Sequence, residues 1–182
     1  MNNIVVIYKS KTGYVKKYAG WIAEELLADV LELSTVNIDR LAGYDIIIYG
    51  GSLHAVGIIG INFITGNFDK LKDKKLVVFA SGASPFSEEI VEEIIKNNIP
   101  EKQRNQVKLF YLRGGFNFNK LPLTDKVLMT LLKWKLNRKK KQGKTLTGDE
   151  KGMLAAYDKP VDFTKKKNIA DLINYIDQLH IT

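Results

Sequence analysis

No cysteine occurs in the 182-residue chain, which removes disulfides, thiolate metal ligation and thiol nucleophiles from consideration. Histidine is nearly as scarce: His54 and His180 stand far apart, so no histidine-rich metal site is expected. Proline occurs only four times, and no long polar or repetitive tract interrupts a composition that is 45% hydrophobic, a balance at odds with disorder. The chain does not open on a basic segment followed by a long apolar run, so neither a secretory leader nor a membrane span is expected and a cytoplasmic location follows. This length suits one domain over residues 1–182 with a full-sized core.

Charge of one sign is in excess. There are 28 Lys plus Arg against 20 Asp plus Glu, a net +8, which admits nucleic acid, an anionic membrane or an acidic ligand as partner. The excess is local. Lys133, Lys135, Arg138, Lys139, Lys140, Lys141 and Lys144 fall in one stretch without an acid, leaving the rest of the chain near +1.

Short β-branched runs at residues 4–8, 44–49, 75–80 and 107–112, with a brief one near 30–33, have the continuous apolarity of strands buried on both faces. Between the first two, Val15, Tyr18, Ala19, Ile22, Ala23, Leu26 and Leu27 recur at helical spacing. Residues 58–68 are expected to be helical, with Gly60, Thr65 and Gly66 weakening the pattern. Ile90, Val91, Ile94 and Ile95 form another helical stripe capped by Ser84 or Ser87, and Ile169, Leu172, Ile173, Ile176 and Leu179 a last one with Thr164 as its cap. Alternating strands and helices imply βαβ crossovers. The expected fold is α/β: a five-stranded parallel sheet in the order 2-1-3-4-5, helices on both faces. Residues 114–163 are too long for an ordinary β-to-α connection. They read as an insertion that places a basic helix before the last helix, apolar from about 123 to 136 and leading directly into the basic run.

In such a sheet ligands bind beyond the carboxyl ends of the strands, here loops 10–15, 50–57 and 81–86, all rich in Gly, Ser and Thr. In the first, Ser10 and Thr12 offer hydroxyls, Gly13 permits close backbone approach, and the amides opening the next helix face an anion. The plainer reading, a capped helix behind a glycine turn, has equal weight on loop chemistry alone. Other phosphate motifs fit worse. Gly143-Lys144-Thr145 has the tail of a P-loop, but Arg138 stands at its first glycine and no strand precedes it; no GxGxxG follows strand one. A receiver domain needs acids at strand ends, where this chain has Lys9 and Gly50.

Residues 8–15, Tyr-Lys-Ser-Lys-Thr-Gly-Tyr-Val, resemble the phosphate loop of flavodoxins, Ser/Thr-x-Thr-Gly-x-Thr, with Val15 where a threonine is usual. Tyr49-Gly50-Gly51-Ser52-Leu53-His54 resembles the flavodoxin loop against the isoalloxazine ring, and Ala80-Ser81-Gly82-Ala83-Ser84 stands where the third loop closes. The resemblance implies FMN as cofactor, held by Ser10, Lys11, Thr12, Gly13, Tyr14, Val15, Gly51, Ser52, Leu53, His54, Ser81, Gly82 and Ala83. Neither ring loop has a Trp or Tyr at the usual stacking positions, which leaves His54 or Phe86 as substitutes, or a more exposed flavin. No acid–base pair stands out, so no catalytic residue is assigned; His54 is either a proton shuttle or, the simpler reading, a surface histidine. His180 carries no functional expectation.

A narrower resemblance covers most of the chain. Flavodoxin-like protoporphyrinogen dehydrogenases, quinone-linked enzymes of haem synthesis, share the Gly-Gly-Ser-Leu loop at 50–53, an added segment with an aromatic start like 113–118 and a basic helix like 125–141, and the approach to the last helix at 158–163. It implies oxidation of protoporphyrinogen IX with electrons passed to a quinone; the alternative is a flavodoxin-type carrier without its own substrate. The basic segment admits a solvated loop, or residues 123–144 contacting the inner face of a membrane or a redox partner. Core packing of Leu128, Leu131, Leu132 and Trp134 is at least as consistent with an apolar stripe. Nucleic acid is not expected, since surface stacking aromatics are few.

Overall fold

The β-branched runs pair side by side. In a computed structural model, which describes residues 3–179, β1 (Ile4–Lys9) leads through a polar loop into helix α1 (Tyr14–Leu26), then β2 (Asp29–Glu32) and β3 (Ile46–His54). A short β4 (Gly57–Ile58) and two single-turn helices, α2 (Asn62–Thr65) and α3 (Phe68–Leu71), precede β5 (Lys75–Gly82), α4 (Glu88–Asn98) and β6 (Val107–Arg113). The remainder comprises β7 (Gly115–Phe116), α5 (Leu123–Lys141), α6 (Gly148–Asp158), β8 (Val161–Asp162) and α7 (Ala170–Leu179). His180 lies outside the described residues.

The main strands run in the order β2-β1-β3-β5-β6, all parallel, which is the 2-1-3-4-5 order of the five long strands. Register places Val6 beside Val30 and Ile48, Ile48 beside Val77, and Phe79 beside Phe110. Alternation then divides the core. Val6, Ile48, Val77 and Phe79 pack with Tyr18 and Ile22 of α1 and Leu172 and Ile176 of α7. Ile7, Ile47, Tyr49 and Val78 pack on the other face with Leu41, Ile64, Leu71 and Ile94. Both layers are buried, as continuous apolar strands require.

Two expectations need correction. Residues 58–68 do not form one helix: β4 folds back antiparallel on β3, with Leu53 opposite Ile58, and Gly60 at φ 81° breaks the chain before α2. Asn98 holds that hairpin, its Nδ2 donating to Val56 O at 2.6 Å and its Oδ1 accepting from Ile58 N at 2.6 Å. Thr164 does not cap the last helix. Its hydroxyl and amide both donate to Asp162 Oδ1, at 2.6 and 2.8 Å, and α7 is entered through a 3-10 turn at Lys166–Ile169. The expected basic helix is α5, which runs on past residue 136 to carry the basic run in its last turns, and a second helix, α6, follows it. Of the two candidate caps for α4, Ser87 serves, accepting from Ile90 N.

The insertion is built as a unit. Lys139 donates to both carboxylate oxygens of Glu150 at 2.8 Å, Tyr157 OH donates to Met129 O at 2.6 Å, and Phe116 and Phe118 pack on the Tyr157 ring at 5.7 and 5.3 Å. The β7–β8 ribbon anchors it, with Phe163 N donating to Gly114 O and Tyr14 OH to Val161 O. No helix among the described residues is long and apolar enough to cross a membrane.

Candidate functional site

The three polar loops converge because parallel strands put their carboxyl ends on one edge of the sheet. They border one cavity of about 790 Å³, to which Lys11, Thr12, Tyr14, Val15, Ser52, Leu53, His54, Ser81, Gly82 and Ala83 contribute. Ser10, Gly13 and Gly51 are not among its lining residues, and Phe86 is exposed and also absent from the lining.

Ser10, Gly13 and Gly51 have roles that follow from local geometry. Ser10 Oγ accepts from Gly13 N at 3.1 Å, closing a tight turn. Gly13 sits at φ 96°, a left-handed conformation suited to glycine, and ends the turn directly at α1. No side chain caps α1 and its first turn carries no acid, so its leading amides keep their donors and a positive end dipole. At Gly51 a Cβ would come within 2.4 Å of Ile58 Cγ2 and 2.9 Å of Ile59 O; glycine there lets the β3–β4 hairpin lie flat. Tyr49 OH donates to Ile59 O at 2.7 Å beneath it, and burial pushes that phenol well above its ordinary pKa.

The third loop holds an unpaired group. Ser81 is 6% exposed, and its Oγ has no hydrogen-bond partner. Gly114 crowds it, since a Cβ there would fall 2.4 Å from that oxygen, while Gly114 N donates to Gly82 O at 2.7 Å. Arg113 completes the junction: its Nε donates to Ala83 O at 3.2 Å and its guanidinium lies 3.7 Å from the centre of the Phe163 ring. His54 lies exposed on the β3–β4 hairpin. Ala55, next to it, takes φ 53° without being glycine, a conformation that costs a non-glycine residue about 1 kcal/mol.

The far wall comes from the insertion. Leu121, Leu128, Met129, Leu131 and Leu132 line the cavity with Met153 of α6, and Tyr111 and Phe116 add aromatic surface. Lys11 Nζ reaches Asp125 Oδ2 at 2.5 Å, tying the first loop to the first turn of α5. Lys135 is a second cation at the lining and Glu93 of α4 a second acid. Among the described residues no group of three or more His, Asp or Glu side chains is placed to hold a metal.

The roof was the part hidden in the sequence. Its leucines have helical spacing, but nothing in that spacing says which element they face. The second roof helix does carry a signal: Thr147 accepts from Glu150 N and Glu150 from Thr147 N, a capping box written as Thr-x-x-Glu. Gly148 and Gly152 dilute the helical pattern behind it.

The profile of a family described as Flavodoxin domain matches residues 5–143. No curated protein matches the chain. Among solved structures, a flavodoxin, WrbA-like protein from Agrobacterium tumefaciens is 16% identical, over 69% of this chain and 88% of that one, with a TM-score of 0.49. A two-electron reduced flavodoxin from Megasphaera elsdenii is 19% identical, over 66% and 89%, with a TM-score of 0.46.

Proposed function

The chain belongs to the flavodoxin domain family, whose cofactor is FMN, and from that premise we propose that it is an oxidoreductase that holds FMN along its three loops and a second, apolar reactant beneath α5. The reactant we assign is protoporphyrinogen IX, with a quinone as the final acceptor. FMN, when bound, supplies two-electron acceptance. The observation that carries the reading is that apolar side chains of the insertion line the same cavity as the polar loops. A carrier that only exchanges electrons with other proteins has no need of such a roof.

The residues present fit the cofactor. Thr12 and the amides opening α1 hold the phosphate, in a turn that Ser10 and Gly13 keep open. Ser81, on the cavity lining, carries a buried Oγ with no partner among the described residues, a group that a bound cofactor would satisfy. Val15 is buried in the core and offers no hydroxyl, so the phosphate loses the contact a threonine would give. The ring loops lack a stacking aromatic; Leu53 supplies apolar contact there, with Tyr111 of β6, the strand beside β5. His54 is the residue of this edge best suited to carry a proton to or from solvent. Met129 and Leu132, part-buried on α5, give the reactant's side an apolar wall.

The test is turnover of FMN-loaded protein supplied with protoporphyrinogen IX and a soluble quinone. Appearance of the fluorescent porphyrin at a rate that scales with enzyme supports the assignment. Bound FMN without turnover makes the protein a carrier or a reductase for another reactant.

A further inference from the structure

Helix α5 presents two apolar faces. One lines the cavity; the other faces solvent. Leu123, Val127, Leu131 and Trp134 recur at intervals of four, four and three residues, which places them in one row along the helix. They are 81, 63, 59 and 63% exposed, so the row is not packed in the core. Arg138 and Lys141 continue the same row, and Arg138 lies 5.7 Å from the centre of the Trp134 ring. No acid occurs from Lys126 to Lys144. Lys133 and Lys139 are engaged by Asp158 and Glu150. Among the described residues Lys135, Arg138, Lys140, Lys141 and Lys144 form no salt bridge to an acid.

We propose that this row is a lipid-binding face and that α5 lies in the surface of an anionic membrane. The 19-residue helix is about 28 Å long, and an exposed apolar row ending in a tryptophan and a cluster of cations matches the acyl-to-headgroup boundary of such a surface. An acidic soluble protein matches the cations but leaves the four apolar side chains without a reason to be exposed. The face is also continuous with the cavity: Leu128 and Leu131 are half-exposed on α5 and line it. Seating the row in lipid therefore turns the mouth of the cavity toward the bilayer. The binding itself depends only on α5; what passes through the mouth rests on the redox reading above.

The experiment is co-sedimentation of the full chain, without added flavin, with vesicles of phosphatidylcholine alone or mixed with phosphatidylglycerol. Omitting flavin separates this result from the cofactor reading, since either can fail while the other stands. Trp134 becomes the sole tryptophan in a Trp21→Phe background, and its emission reports insertion. Binding to the anionic vesicles, with a blue shift of Trp134 and little binding to the neutral ones, is expected. Neutralising Arg138, Lys140 and Lys141 to Gln lowers partitioning about 100-fold, at about fivefold per charge. Val127→Glu with Trp134→Glu, on the exposed row, abolishes it while circular dichroism and the thermal midpoint stay those of the parent. The proposal is overturned if the parent stays in solution with both vesicles. It is equally overturned if only the charge variant loses binding, which marks a patch for an acidic macromolecule instead.

Discussion

Lys11 Nζ and Asp125 Oδ2 lie 2.5 Å apart across 114 residues of sequence, joining the turn that opens α1 to the first turn of the roof helix. The pair is partly shielded, with side chains 31 and 12% exposed, so it counts for more than an open surface bridge and less than a fully buried one. Asp125→Ala should cost about 1–2 kcal/mol in urea unfolding. A double-mutant cycle with Lys11→Met should recover a coupling near 1 kcal/mol. Amide exchange in residues 123–136 should quicken in either single variant.

Ser81→Ala should move stability and affinity in opposite directions. Removing a buried hydroxyl that has no partner stabilises the flavin-free protein by about 1 kcal/mol. The same change removes the hydrogen bond assigned to the cofactor and weakens FMN binding about tenfold. Thermal melts and flavin titrations of the same two proteins check both halves. A parallel loss of both would mean that the oxygen is satisfied within the protein.

Gly51→Ala drives a methyl toward Ile58 and the Ile59 carbonyl, neither of which can yield without moving the hairpin. A loss of about 2–3 kcal/mol follows, with weaker flavin binding because residues 52–54 ride on that hairpin.

Leu27 ends α1 at φ 50° with 84% of its surface exposed, so it contributes strain and little packing. Leu27→Gly should raise stability by roughly 0.5–1 kcal/mol, visible as a shift of a few degrees in the thermal midpoint.

Asp162 ties β8 to α1 through Lys17 and to the turn that follows through Thr164. Burial works to raise its pKa, but the Thr164 hydroxyl and amide and the Lys17 ammonium outweigh it and hold the carboxyl below its ordinary value. With a depressed folded pKa, its contribution is complete above the ordinary aspartate range and is lost as pH falls through the folded value. Carboxyl carbon NMR should show Asp162 titrating lower than an unfolded aspartate. Thr164→Val should move it upward.

The sheet was legible because buried parallel strands are written as unbroken β-branched runs: residues 4–8 and 75–80 could hardly be read otherwise, and their order followed from the crossovers. The loops were legible for the related reason that strand ends must terminate in turn residues, here Ser10 to Gly13 and Gly50 to Ser52. The segment after β3 was misjudged because a helical stripe at Ile58, Ile61 and Ile64 also arises when one short strand and one helical turn bury the same face. The roof was invisible for a deeper reason. Leu131 and Leu136 have the same chemistry in one helix, yet Leu136 is buried and Leu131 is mostly exposed, a distinction set by where the insertion docks and not by its periodicity.

Whether the three loops form one FMN site is decided by titrating the flavin-free protein with FMN. Saturable binding of one FMN per chain is predicted, weakened about tenfold or more in Thr12→Val, where a hydrogen bond to the phosphate is lost. Flavin absorbance and fluorescence that stay those of free FMN at every protein concentration would mean that the loops form no FMN site.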